Sequence, residues 1–508
     1  MRCFFKNIFR SFYGKGGLIV GFTALSYALL INNLNLWSDE IYSVLMARDS
    51  LPEMFYLLMT EDSKPPLYYL YLKGVLALFS PQYEIWGAHF ASFILLIAAQ
   101  IFVLTAVRRD YGDQMALIAA GLIMALPPSL WLAFEVRAYM LANLCLLMAV
   151  VYGLRLLDKP TTADGGKFAA AMTAALYTHY YCAVWLMFFC LFLLVILIRE
   201  NNKAAFKKFL WAVTGTALAF APWLAVPLTT GGDISQYWYV NMSFVKMSAQ
   251  FFTTPLTAEM WQTALATGTV LSFSAFSAIV LCGLCAGKQG FDGSGGKKLR
   301  RLIYVTAGTT LAAYLLLVIL SVTVRPMVTS RYLMTFALMW YLAGAAALTQ
   351  FRFLRNGFLI VAAAGFIGAY HDIRLASFDR GFYNLAHDVR KYISKDRPIV
   401  VFDNNNLFCE YYLPEYTCLS AVGERGEILR LPTIMKNYDK YLPYAQNPAA
   451  VTFSLSSYLK LNDEKKCMTY GSSYRINNAT YLCRLGAEVT QKLLSDSVNL
   501  RLHKYKSH

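Results

Sequence analysis

The stretch "GGLIVGFTALSYALLINNLNLWSDEIYSVL", residues 16–45, joins a long apolar run to two adjacent carboxylates, Asp39 and Glu40. About 20 consecutive apolar residues suffice to cross a bilayer as a helix. The pattern predicts a first span over 17–36, with the acidic pair placed just where that helix leaves the membrane. Similar apolar windows recur along the chain. They predict ten further spans over 84–107, 114–130, 136–157, 167–179, 181–198, 209–228, 261–286, 302–323, 332–350 and 357–371.

Composition agrees with this reading. Of 508 residues, 57% are hydrophobic and 15% charged, whereas soluble domains carry about 25% charged residues. The basic segment "MRCFFKNIFRSFYGKGG" resembles the flank of a signal peptide. No small-x-small cleavage site follows its apolar run, so an uncleaved first helix is expected.

A net charge of +16 raises the question of nucleic acid, and its distribution answers it. With the N-terminus inside, 108–109, 155–167, 199–208, 287–301 and 351–356 become inner loops. Together with the N-terminal segment they hold 20 Lys and Arg, against seven in the opposite loops when Arg137, at the edge of its span, is included. That is the positive-inside bias, so the basic charge serves topology and anionic lipid, and no nucleic-acid partner is expected.

From residue 372 onward the texture changes. Fourteen of the 30 acidic residues lie there, with no spanning run. The expected architecture is therefore an all-α polytopic membrane domain over 1–371, of about 11 helices, with a first outer loop at 37–83. A small extracytoplasmic α/β domain follows over 372–508. In it, Phe382, Leu385, Val389 and Ile393 line one side of a helix. "RPIVVFDNN" reads as a buried strand ending in an Asn turn, and "AVTFSLS", "CMTYG" and "ATYLC" as further strands. Cys409, Cys418, Cys467 and Cys483 are disulfide candidates in an oxidising compartment. Of their three pairings, the local one (409–418 with 467–483) is favoured because each pair closes a short strand-turn unit; buried free thiols are the alternative. Asn241 and Asn478 head N-x-S/T triplets.

Ionisable groups at membrane depth are costly and point to function. Asp39, Glu40, Asp62, Lys64, Glu135, Arg137, His179, Arg325 and Arg331 all fall at the outer ends of predicted spans. The helix middles are mostly apolar, which argues against a transport path. A carboxylate can take a proton from a hydroxyl, and Arg and Lys suit a phosphate. The tyrosines of "PPLYYLYLK", "RAYML", "THYY" and "RYLM" supply amphipathic surfaces at headgroup depth. This set suits a phosphate-bearing lipid, a sugar and a hydroxyl acceptor. Arg325, before Pro326, reads as structural.

The segment "WSDEIYSVLMARDS…TEDSKPPLYYLYLKGVLALFSPQYEIWGAHFAS" resembles the first outer loop of GT-C glycosyltransferases. The likeness is to bacterial family 39/83-type enzymes, relatives of protein O-mannosyltransferases and lipid A aminoarabinose transferases. "FEVRAYMLANL" (134–144), "THYYCAVW" (178–185) and "RYLMTFALMWYLAG" (331–344) continue it, in order, over about the first 350 residues. The resemblance implies a polyprenyl-phosphate sugar donor, an acidic base in the first outer loop and inversion at the anomeric centre. Carried over, Asp39 is the base and Glu40 orients an acceptor or an arginine. Asp62 and Lys64 frame the Pro-Pro turn, and Lys64 contacts the donor phosphate, although many relatives have His before the prolines. Arg137 and Arg331 are further phosphate ligands, with Glu135 beside them. Tyr139, His179 and Tyr332 line the donor groove. The acceptor is a glycolipid, a glycan or a protein, and the setting is a bacterial inner membrane.

No cluster has clear metal-ligand spacing, so a divalent metal stays open as a cofactor. Two readings from other classes remain beside the enzyme. A polyprenol-linked glycan flippase or transporter would carry broken or polar helices at mid-membrane, and a non-catalytic scaffold would leave the acidic pair dispensable. A solvated helix end is the plain alternative for Asp39 and Glu40, since "SDE" is good capping chemistry.

Overall fold

The computed structural model describes residues 11–31, 34–62, 64–229, 265–286, 293–324, 328 and 330–378. Beyond these it describes 386–387, 389–390, 395, 399–401, 405–416, 418–420, 453–456, 473–475 and 481–484. The chain divides into two compact units. One comprises Met1–Leu34 and Lys64–Phe378, the other Asn35–Ser63 and Asp379–His508.

In the first unit, six helices among the described residues are long and apolar enough to cross a membrane. They are Phe12–Ile31, Pro81–Tyr111, Tyr139–Asp158, Tyr181–Glu200, Lys203–Val226 and Gly295–Thr323. Asp113–Ala125 and Pro127–Phe134, bent by 67°, make a seventh if taken as one broken span. The chain is a multi-pass membrane protein; among the described residues six or seven helices meet the length and apolarity of a span, where eleven spans are expected over the whole sequence.

The differences have local causes. The span expected at 167–179 belongs to a 15-residue helix, Thr162–Leu176, which is only about 22 Å long. The span expected at 332–350 is interrupted, running as Ser330–Leu333, a 3₁₀ turn Met334–Phe336 and then Ala337–Gln350. The spans expected at 261–286 and 357–371 coincide with the helices Leu265–Cys285 and Arg352–Phe378, of 21 and 27 residues. Leu126 is extended at ψ 131°, as a residue before proline prefers, and this sets the bend at Pro127.

Polar side chains inside the bundle tie the helices together. The Gln100 amide donates to Thr23 Oγ1 at 2.9 Å and to the Ala120 carbonyl at 3.2 Å, so one buried group joins three helices. The Tyr27 hydroxyl donates to the Met124 carbonyl at 3.1 Å. Trp185 Nε1 donates to Thr310 Oγ1 at 3.0 Å and Trp340 Nε1 to Ser277 Oγ at 3.2 Å. Such interhelical bonds and close backbone approaches replace the hydrophobic drive that lipid cannot supply. Gly344 provides one approach, since a Cβ there would overlap the Phe276 ring.

Tyr139–Asp158 is the most enclosed of the six spans, 72% buried. Its Asn143 explains the interruption at 334–336. The Asn143 amide donates to the carbonyls of Tyr139 (2.9 Å) and Met334 (2.7 Å), and its oxygen accepts from the Leu338 N–H at 2.9 Å. Backbone groups freed by the 3₁₀ turn are thereby satisfied without water.

At the Asp158 end of this helix charges pair. Arg155 bonds Asp110 at 2.7 Å, Lys298 lies 3.1 Å from Asp158, and Arg301 joins Asp158 (3.0 Å) to Glu200. The Tyr139 end, opposite, carries the candidate residues.

In the second unit the helix Ser38–Arg48 is almost wholly enclosed, with Ile41, Ser43, Val44 and Met46 fully buried. It packs against the helix Asn405–Tyr412. Five short strands form one mixed sheet: β1 (Ile399–Val401), β2 (Cys418–Ser420), β3 (Phe453–Ser456), β4 (Ser473–Arg475) and β5 (Tyr481–Arg484). Their order is β2-β1-β3-β5-β4, with β1 parallel to β2 and β3, and β5 antiparallel to β3 and β4. Strand β1 matches the "IVV" of "RPIVVFDNN" and a helix opens at Asn405; residues 402–404, where the turn is expected, lie outside the described residues. Cys409 is buried and disulfide-bonded. Cys467, Asn241, Asn478, "CMTYG" and most of the segment from Phe382 to Ile393 lie outside the described residues.

Candidate active site

In the second unit, Asp39 and Glu40 occupy the first turn of Ser38–Arg48, where the helix dipole favours negative charge. Their environments differ. Glu40 is buried, and its Oε2 accepts the Trp37 backbone N–H at 3.2 Å, so it closes the helix start. Asp39 is half-buried, and its carbonyl accepts from the Ser43 hydroxyl at 3.0 Å. Neighbours on a helix point about 100° apart, which is why one carboxylate turns inward and the other does not. Asp62 closes the π-helical turn Leu58–Asp62 in the same unit; its side chain is outside the described residues.

In the first unit, Lys64, Arg137, Tyr139, His179 and Tyr332 come together at one end of the bundle. Ring centroids lie 5.7 Å apart for Tyr139 and His179, 5.9 Å for His179 and Tyr332, and 6.5 Å for Tyr139 and Tyr332. Trp131 stacks on Tyr139 at 5.6 Å, and Tyr181 meets Tyr332 at 5.2 Å. The Leu67 N–H donates to the Tyr177 carbonyl at 2.9 Å, which ties the Lys64-Pro65-Pro66 turn to the turn carrying His179.

Burial first, and then the positive charges of Arg137 and Lys64, push the His179 pKa from 6.5 down to about 3. The imidazole is therefore neutral at physiological pH, and the two cations supply the local charge. A neutral aromatic wall around fixed positive charge suits an anion carried on an apolar chain.

Arg137 is aimed by a short turn. Its N–H donates to the Glu135 carbonyl at 2.8 Å. Two buried side chains of the Glu84–Phe102 helix grip that turn, His89 Nδ1–H donating to the Phe134 carbonyl and Ser92 Oγ to the Glu135 carbonyl. Glu135 itself is buried. Arg331 lies in the helix Ser330–Leu333 next to Tyr332; its side chain and all of Arg325 are outside the described residues. Among the described residues, no three His, Cys, Asp or Glu side chains converge to hold a metal ion.

The sequence does not single out Trp131, His89 or Ser92, and it marks Tyr181 only as one of the "THYY" tyrosines at headgroup depth. His89 and Ser92 share a helix face by their i, i+3 spacing, but nothing in the sequence says that the face meets carbonyls of residues 134 and 135.

No family model matches this sequence, and neither does any curated protein. Solved structures do resemble the fold. ArnT from Cupriavidus metallidurans in the apo state aligns with a TM-score of 0.58 at 13% identity, covering 93% of this chain and 98% of that one. The same protein bound to undecaprenyl phosphate aligns at 0.55, 13% identity, and 92% and 97% coverage. The archaeal oligosaccharyltransferase AglB from Archaeoglobus fulgidus, in complex with an inhibitory peptide and a dolichol-phosphate, aligns at 0.50 and 12% identity, over 90% of this chain and 70% of that one. At these identities the likeness speaks to architecture. The chain shares the fold of ArnT and AglB.

Proposed function

We propose that this protein is an integral-membrane glycosyltransferase that moves a sugar from a polyprenyl-phosphate donor to an acceptor hydroxyl at the outer face of the membrane, with inversion. The observation that carries this reading is the gathering of Lys64 and Arg137 beside a neutral His179 inside an aromatic wall. The fold agrees with it, and ArnT and AglB have been solved with undecaprenyl phosphate and a dolichol-phosphate respectively. The setting we infer is a bacterial plasma membrane, with residues 372–508 periplasmic or extracellular and the acceptor a glycolipid, a glycan or a protein.

In this mechanism Asp39 takes the proton of the acceptor hydroxyl. The acceptor oxygen forms its bond to the anomeric carbon as the bond from that carbon to the phosphate oxygen breaks. The polyprenyl phosphate leaves with the electron pair, and Lys64, Arg137 and Arg331 stabilise the charge that grows on it. Fixed cations aimed at a leaving group lower the transition state more than the ground state. Tyr139, His179 and Tyr332 hold the donor, and Asp62 and Glu135 frame its cationic contacts. Glu40, already engaged at Trp37, orients the turn that presents Asp39.

The test is release of undecaprenyl phosphate from a panel of undecaprenyl-phosphate-linked hexoses and pentoses by purified protein in lipid, with glycolipid, glycan and serine-peptide hydroxyls supplied as acceptors. Asp39→Asn keeps shape but cannot accept the proton, and is expected to lose roughly 10²–10⁴ in rate with an unchanged melting curve. Glu40→Gln is expected to be milder. Native turnover in Asp39→Asn would sink the mechanism, and collapse in Glu40→Gln alone would move the base by one residue.

A further inference from the structure

The second unit holds a contact that joins residues 376 apart in sequence. The Tyr412 hydroxyl accepts the Leu36 N–H at 3.0 Å and donates to the Leu36 carbonyl at 3.3 Å. Leu36 is fully buried and Tyr412 nearly so. A buried peptide group needs partners for both its donor and its acceptor, and here one phenol serves both. Leu36 immediately precedes Trp37, the residue that caps the helix bearing Asp39 and Glu40. Fixing its two backbone groups fixes the direction in which that helix starts.

Tyr412 is itself held. Arg390 donates to its carbonyl and to Glu415, each at 2.7 Å, and that pairing keeps the Glu415 carboxyl below its ordinary value. Phe408 and Tyr411 pack on its ring at 5.6 and 4.9 Å. At the far end of the Ser38–Arg48 helix, the Arg48 guanidinium lies 4.8 Å from the Tyr411 ring, a cation–π contact. Burial, and then the nearby Glu40 carboxylate, raise the Tyr412 pKa, so the hydroxyl keeps the proton it donates.

We propose that Tyr412 is a positioning residue: by bonding both backbone groups of Leu36, it aims the acidic turn of residues 37–40 for transfer. The inference rests on Asp39 being the base of the proposed reaction. It gives the C-terminal segment a part in catalysis that does not require it to touch donor or acceptor.

The experiment compares the full-length protein with Tyr412→Phe in lipid, with Tyr416→Phe as an equally small change nearby. Amide exchange at residues 36–41 is expected to rise roughly tenfold in Tyr412→Phe alone, with exchange across 139–158 unchanged. Release of undecaprenyl phosphate from the same sugar donors is expected to fall roughly 10- to 100-fold, while affinity for free undecaprenyl phosphate stays native. A merely structural role would lower stability and affinity together. Native exchange at 36–41 would overturn the proposal whatever the activity, and so would raised exchange with native turnover. A wild-type protein that turns over no donor would overturn the glycosyltransferase reading instead, and the exchange data would still report on the Tyr412 contact.

Discussion

The backbone N–H of Tyr181 donates to Nδ1 of His179 at 3.2 Å, which leaves the neutral ring its proton on Nε2. His179 therefore offers a donor that adds no charge beside Lys64 and Arg137. With its pKa lowered from 6.5 to about 3, it binds a proton in the unfolded chain across that interval but not in the folded one. Stability from this residue is full above pH 6.5 and is lost as pH falls toward 3. Thermal melts at steps across this range should show a shallower acid limb in His179→Gln than in the native protein. An identical limb would remove His179 from the titration.

Lys64→Ala and Arg137→Ala should each weaken binding of undecaprenyl phosphate. Loss of one charged hydrogen bond costs roughly 1.5–3 kcal/mol. Titration of the purified variants with this lipid is the measurement, and native affinity in both would withdraw the phosphate assignment. Arg137→Lys should recover part of the loss, because it restores the charge without the planar fork.

Asn143→Leu removes three hydrogen bonds at once and leaves the Leu338 N–H and the Met334 carbonyl to find new partners. Each such buried group costs roughly 1–3 kcal/mol. A lower melting temperature, with altered labelling of a cysteine placed at Thr335, is the expected outcome.

Gly344→Val places carbon where the Phe276 ring already stands. Overpacking of this kind costs roughly 1–3 kcal/mol, and Gly344→Ala should cost less. The smaller Phe276→Leu should rescue either variant in a melting series. Failure of that rescue would locate the strain elsewhere.

Orientation can be tested at two exposed positions of the first unit, Leu78 and Lys298. In intact cells, with background thiols replaced, Leu78→Cys should react with an impermeant maleimide and Lys298→Cys only after lysis. The reverse pattern would invert the topology inferred from the Lys and Arg loops.

The parts of this fold that show in the sequence are those that obey one rule over many residues. Runs such as 181–198 read as spans because every turn faces lipid or apolar neighbours. The broken elements do not show. Pro127 signals a stop but not a 67° bend that keeps one broken span. Nothing around Met334 announces a 3₁₀ turn, because Asn143, 191 residues earlier, holds it. The candidate residues of the first unit could be collected because each sits near the end of an apolar run. Tyr412 could not, since its hydroxyl answers a peptide group from the other end of the chain. The association of residues 35–63 with 379–508 is hidden for the same reason.

The charged cluster at the Asp158 end also bears on how the protein is made. Asp158 and Glu200 leave the ribosome 143 and 101 residues before Arg301, which joins them. At about 5–20 residues per second, both carboxylates wait roughly 5–30 s for their partner. A carboxylate can wait that long only in water, and the two side chains are still 39–40% exposed after pairing. Fastening at this end is therefore staged: Arg155 can close on Asp110 as soon as its own helix is made, whereas the links through Arg301 wait for the span that begins at Gly295.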